Sequence, residues 1–240
     1  MTNFDLNILP IHRRAGKDQT SLAGLRAAAA PKRAARGRKT DQLIILLSFD
    51  GQPPFSDERI AELLRRLEAG FYETPGSLTS ASREMIEELN GLLLSINERG
   101  AGTRKQVSGS ISVLVIRNQD LYLSQSGPGH LFVLMPKKVD YVSDEKAAGP
   151  GLGVSRAAAI HFAQLSLEAG YRLLFTPEIP DGWTAETFQE AHNQPFHTAH
   201  SCFMNDGGEN VSAAFVDVLP GSGAVAMLRA APTGVGHDAA

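Results

Sequence analysis

Phe4 to Leu9 alternates apolar and polar side chains, the period-two pattern of a half-buried strand. Leu43 to Phe49 (LIILLSF) is instead an unbroken apolar run of strand length, which predicts a strand covered on both faces. Asp50-Gly51 and Pro53-Pro54 then force a turn. Beyond it the apolar period lengthens to that of a helix. Ile60, Leu63, Leu64, Leu67 and Phe71 form one stripe behind an N-cap at Ser56. Asp57 and Glu58 fall in the first turn, where the helix dipole favours acids. Thr74-Pro75-Gly76 stops this helix. A second begins near Ser77, with Leu78, Ala81, Met85, Leu89, Leu92 and Ile96 on one face and Arg83, Glu84, Glu87 and Glu88 on the other.

After a polar loop from Gly100 to Gln106, strand patterns return at Ile111–Arg117, Leu121–Gln125 and Leu131–Met135. Asn118-Gln119-Asp120 is a tight turn that pairs the first two as a hairpin, and Gly127-Pro128-Gly129 separates the second from the third. His161 to Leu167 alternates, Glu168-Ala169-Gly170 turns, and Tyr171 to Thr176 forms another strand. Thr184 caps a short helix to His192, Val211–Val218 is a late strand, and Ala224–Leu228 is a candidate for one more. The end, Ala230 to Ala240, is small-residue and expected to fray. Strands, two adjacent long helices and then mostly strands do not alternate as a doubly wound parallel sheet does. The order predicts an α+β fold, a layered sandwich in which helices cover antiparallel sheets.

Composition leaves that picture in place. Of 240 residues 42% are apolar and 20% charged, with a net charge of -3, which excludes wholesale disorder and a fibrous repeat. No apolar run approaches the roughly 18 residues of a membrane-spanning helix. The N-terminus lacks a basic region followed by an apolar stretch, so no secretory leader is expected. The single cysteine, Cys202, excludes an internal disulfide and a cysteine-rich zinc site, and a reducing cytoplasm is the expected location.

Four stretches carry candidate chemistry. Ala23 to Lys39 holds six basic residues and no acid, but it lacks aromatics for base stacking and contains Pro31 and Gly37. It reads as a mobile loop between strands, not a nucleic-acid reader. Gly149-Pro150-Gly151-Leu152-Gly153 has no helix after it and no Lys-Ser/Thr, so it reads as a connection needing positive φ, not a nucleotide loop. His192, His197, His200 and Cys202 crowd together, but their spacing fits no zinc pattern, and Pro195 marks a surface loop. Asp50, Glu178 and Glu209 each stand at a strand end, where oxygen ligands for a hard cation can gather.

The order of segments resembles the PPM-type, metal-dependent serine/threonine phosphatases (the protein phosphatase 2C family). The resemblance covers roughly residues 8 to 218. Its best stretch runs from Met85 to Glu178: a helix ending LNGLLLSINERG, the hairpin ISVLVIRNQDLYLSQSGPGHLFVLM, the loop GLGVS and the strand LSLEAGYRLLFTPE. With Asp50-Gly51 as the family's early Asp-Gly and GENVSAAFVDV at its late Asp-Asn strand, most of the chain is placed. The resemblance implies an αββα sandwich, two stacked antiparallel sheets flanked by helices, over residues 1–220. A short, partly disordered C-terminal extension over 221–240 would follow. In active members it implies a two-metal centre of Mn or Mg whose acids activate a bridging water.

The sequence departs from the family at the functional places. Gln52-Pro53 follows the Asp-Gly. The family's Asn-Glu-Asp element falls on Lys17-Asp18-Gln19-Thr20. Gly-Asp-Ser-Arg has become Gly127-Pro128-Gly129-His130, Ser-Asp-Gly has become Pro177-Glu178-Ile179, and Asp-Asn has become Glu209-Asn210. Arg13 and Arg14 are the candidates for the family's phosphate-binding arginine. The resemblance therefore implies residual metal positions at Asp50, Gly51, Glu178 and Glu209, and no catalytic residue. It implies a pseudophosphatase that binds a protein or phospho-ligand, with no cofactor and no membrane or nucleic-acid partner. The alternative is an active Mn/Mg-dependent phosphatase with an altered acid set.

Overall fold

The structure, a computed structural model, describes residues 3–50, 55–100 and 106–229. Two sheets face each other. The first is seven-stranded, in the order β12-β1-β11-β10-β7-β8, with β2 paired to β1. It comprises β1 (Asn3–Arg14), β2 (Lys17–Asp18), β7 (His130–Met135), β8 (Lys138–Val142), β10 (Arg172–Thr176), β11 (Val211–Gly221) and β12 (Val225–Met227). The second is five-stranded, in the order β3-β4-β5-β6-β9, from β3 (Leu25–Ala29), β4 (Gln42–Phe49), β5 (Gly109–Arg117), β6 (Asp120–Ser126) and β9 (His161–Ser166). Every pairing is antiparallel except that of β1 with β12. Helices α1 (Asp57–Glu73) and α2 (Leu78–Arg99) cover the second sheet. Helices α4 (Ala185–Asn193) and α5 (Phe196–Asp206) cover the first. The short α3 (Glu145–Ala148) lies in the connection to β9. The expected αββα sandwich is the observed one.

The side-chain periodicities explain the layers. Along β4, Leu43, Ile45 and Leu47 face α1 and α2, while Ile44 and Leu46 face the other sheet. The unbroken apolar run has no wet face because β4 sits between two cores. The α1 stripe (Ile60, Leu63, Leu64, Leu67, Phe71) and the α2 stripe (Leu78, Ala81, Met85, Leu89) fill the helix side. Ser56 and Ser77 hold the two N-cap positions, and the Ser77 side chain accepts from Ser80 N. Between the sheets, Phe4, Leu6, Ile8, Val133, Phe175 and Val216 of the first share one core with Leu114 and Leu123 of the second. Trp183, Phe188 of α4 and Phe203 of α5 form the core between these helices and the first sheet.

Two expectations are corrected. The basic stretch 23–39 is not a loop throughout: Leu25–Ala29 forms β3 and pairs with β4, Leu25 opposite Leu46 and Ala29 opposite Gln42. Its alanines are small enough to lie beneath α1, and Arg26 forms an ion pair with Glu68 of that helix. Arg38 is fully buried, donating to Ser77 O at 2.7 Å and stacking on Phe71. The histidine–cysteine stretch is also not a loop, because Pro195 is the N-cap of α5, where a missing N–H does no harm. The glycine-rich connection does use positive φ, at Gly149, Gly151 and Gly153. Of the segment from residue 221 on, Val225–Met227 pairs with β1, and residues 230–240 lie outside the described residues.

Candidate functional site

Strand register gathers the predicted positions at one end of the sandwich. β4 ends at Phe49 opposite Gly109, and β6 ends with Ser126 opposite Ile111. Gly127-Pro128-Gly129 carries the chain from Ser126 to His130 in the other sheet, opposite Thr176. Phe175 pairs with Ala214, and Arg13 with Val211. Asp50, Glu178, Glu209 and Asn210 therefore stand at the same end, as do the turns after β1 and β6. The side chains of Asp50, Glu178 and Glu209 are all exposed. Gly51 lies outside the described residues. Among the described residues no three His, Cys, Asp or Glu side chains come close enough together to hold a metal ion.

Backbone contacts hold these positions in place. Asp50 N–H donates to Ser108 O at 3.0 Å. Thr176 Oγ1, buried, donates to Glu178 O at 2.5 Å and lies 3.1 Å from Ser212 O. Glu209 O accepts from Gly16 N at 2.9 Å, and Asn210 Oδ1 from Ala15 N at 2.9 Å. Ala15 and Gly16 both take positive φ, so the Asn210 amide pins a tight turn between β1 and β2. Arg13 is committed: its Nε meets Asp18 at 2.5 Å and its Nη1 donates to Gly208 O at 3.0 Å. Of the two arginines proposed for phosphate, only Arg14 is exposed.

Beneath these loops the inner faces of the sheets form a polar floor. Strand alternation turns Ser48, Ser110, Ser112 and Gln125 toward the opposite sheet, in line with Leu46, Leu114 and Leu123. Ser48 and Ser110 share a hydrogen bond of 2.9 Å. Gln125 Nε2 donates to Ser112 Oγ at 3.2 Å. Gln125 Oε1 and Ser126 Oγ are buried and find no partner among the described residues. Gly129 packs closely on this pair: a Cβ on it would sit 2.8 Å from Gln125 Nε2 and 3.2 Å from Ser112 Oγ, so the Gln125 amide would have to shift. From the other sheet, His12 Nδ1 lies 3.2 Å from both Val211 O and Ser212 Oγ. Burial holds the His12 pKa below the ordinary imidazole value, against the opposing pull of the Val211 carbonyl. At the rim, His130 Nδ1 meets the Tyr141 hydroxyl at 2.7 Å and the rings stack. Burial lowers its pKa too, opposed by Glu145 and Glu178.

The floor is thus built of hydroxyls, an amide and an imidazole whose pKa burial lowers. Such groups satisfy one another only in part, and they do not supply the negative charge two divalent cations require. Among the described residues, the floor itself brings no carboxylate to a metal centre. Sequence reading missed Thr176, Gln125, Ser112 and His12. The signal was there for one of them: Ser112, with Ser110, interrupts the inward parity of an otherwise apolar strand.

No family model matches the sequence, and no curated protein matches it by sequence. Solved structures do match its fold. A serine/threonine phosphatase of S. agalactiae superposes with a TM-score of 0.65 at 15% identity, covering 88% of this chain and 99% of that one. PppA, described as a key regulatory component of T6SS in Pseudomonas aeruginosa, matches at 0.63 and 13% identity over 92% and 100%. The catalytic domain of the serine threonine protein phosphatase PstP, in complex with 2 manganese ions, matches at 0.60 and 15% identity over 89% and 98%. The chain has the fold of PPM-type bacterial serine/threonine phosphatases.

Proposed function

We propose that the chain is a degenerate phosphatase-like domain over residues 1–220, a pseudophosphatase that binds a protein or phospho-ligand in the cytoplasm and hydrolyses no phosphoester. One observation carries the proposal: the neutral floor of Ser48, Ser110, Ser112 and Gln125 at the end of the sandwich. Pro128 and Gly129 in the connection above it add no carboxylate. No cofactor is part of this reading. The regulatory description of PppA, a structure of the same fold, supports a regulatory role.

A second reading is favoured by one fact, that Asp50, Glu178 and Glu209 stand at the same end. On it, these acids with Gly51 hold Mn or Mg, and the chain is an active serine/threonine phosphatase. The two readings separate in one experiment: hydrolysis of p-nitrophenyl phosphate with and without manganese, beside calorimetric titration with manganese. We expect no manganese-dependent turnover and at most weak binding. Two tight sites, with activity abolished by Asp50→Ala, would establish the enzyme instead.

A further inference from the structure

Open sheets expose unpaired backbone groups at their edges, and proteins guard them with short strands, charges, prolines or covering elements. Four strands end the two sheets here, β12, β8, β3 and β9, and the two-residue β2 lies on the same edge as β12. Three are guarded. β12 has 3 residues. β8 carries the Lys138–Asp140 ion pair on its edge. β3 is held to α1 through Arg26 and Glu68. β9 carries none of these devices among its own residues, and Arg83 of α2 lies over the Phe162 ring. From Ala157 to Leu167 (AAAIHFAQLSL) there is no Lys, Arg, Asp, Glu or Pro.

The register shows which of its groups are free. Leu167 N–H donates to Gln119 O at 2.7 Å, and Leu165, Ala163 and His161 lie opposite Leu121, Leu123 and Gln125. Hydrogen bonding alternates along an antiparallel strand, so the N–H and C=O of Phe162, Gln164 and Ser166 point away from β6. Among the described residues nothing bonds to them.

We propose that this edge joins two copies of the chain by antiparallel pairing of β9 with itself, centred on Gln164. Outward-pointing residues must face outward-pointing residues. One register then pairs Gln164 with Gln164 of the partner subunit and Phe162 with Ser166 of the partner subunit, forming about six hydrogen bonds. The same register sets Ala163 and Leu165, both half-buried against the core between the sheets, opposite the partner's Leu165 and Ala163. A second copy suits this edge better than a charged strand would, because an uncharged strand meets an uncharged strand and leaves no ion unpaired. The pairing runs the five strands of each copy into one continuous sheet, and it stands independently of the pseudophosphatase reading.

Light scattering and sedimentation of the full chain test it, with an expected mass twice the 25.7 kDa of one chain. The Gln164 side chain is exposed, so Gln164→Lys and Gln164→Glu should keep the thermal unfolding of the wild type. Each alone should be monomeric, because like charges meet on the dyad. Mixing the two should restore dimers. Gln164→Cys, in a Cys202→Ser background, should cross-link on oxidation, because paired Cα atoms about 5.5 Å apart lie within disulfide reach. A wild type that stays monomeric at high micromolar concentration overturns the proposal. So does a dimer that Gln164→Lys leaves intact.

Discussion

Gln125 Nε2 donates to Ser112 Oγ at 3.2 Å, and the backbone of Gly129 passes directly over the pair. This neighbouring amide and hydroxyl, on adjacent strands of one sheet, form an uncharged floor beneath the exposed acids at that end of the sandwich. Gly129 lies in the tripeptide that links the sheets, so link and floor depend on each other. The first prediction concerns the glycine-rich loop packed against that link. Gly151, at φ +105, would place a Cβ 2.6 Å from Gly109 O and 3.7 Å from Gly127 Cα. Gly151→Ala should lower stability by about 2–4 kcal/mol through backbone strain and overpacking. Denaturant unfolding checks this, and a loss under about 1 kcal/mol would mean the loop moves aside freely.

Ile45 is fully buried on the helix side of β4. Ile45→Ala should cost about 2–5 kcal/mol, since strands on both sides and helices above prevent collapse of the cavity. A loss below about 1 kcal/mol in denaturant unfolding would contradict a central position for β4.

Asp41 is fully buried between two arginines. Arg117 grips it with hydrogen bonds of 2.7 and 2.8 Å, whereas Arg38 Nη1 stands 3.8 Å away. Arg38 Nε and Nη1 find no hydrogen-bond partner among the described residues. Arg117→Met leaves the Asp41 carboxylate beside only the distant Arg38 and should cost about 3–5 kcal/mol. Arg38→Met removes a desolvated cation while Asp41 keeps Arg117, and should cost clearly less. The reverse order in paired unfolding curves would refute the assignment of Arg117 as the principal partner.

His200 Nε2 donates to Pro10 O at 2.9 Å inside the joint between α5 and β1. Burial lowers its pKa from 6.5, against the opposing effect of that carbonyl. The unfolded chain therefore binds a proton more readily than the folded one. Stability should be complete above about pH 6.5 and decline as pH falls below it. His12 and His130 are depressed for the same reason and act in the same direction. His200→Gln should flatten the slope of stability between pH 7 and 5, and an unchanged slope would remove His200 from the account.

Periodicity alone determined the elements with strong repeats. The apolar run of β4, the stripes of α1 and α2, and the hairpin at Asn118–Asp120 were all readable, because each is a local pattern with one satisfactory burial. The segment order then gave the layered α+β architecture and its resemblance to a metal-dependent phosphatase. Tertiary structure decided what local pattern could not. An alanine-rich basic stretch becomes β3 because the free edge of β4 accepts it and Glu68 neutralises Arg26. The stretch with His197, His200 and Cys202 becomes a helix because Ala199, Phe203 and Met204 on one side of it pack against the sheet, with Phe203 on Phe215. Asp50, Glu178 and Glu209 share an end of the sandwich only because antiparallel register brings distant strand ends together. Whether Ser112 and Gln125 are paired was invisible in sequence, since their contact joins two strands of one sheet through side chains whose partner depends on the register of the hairpin between them.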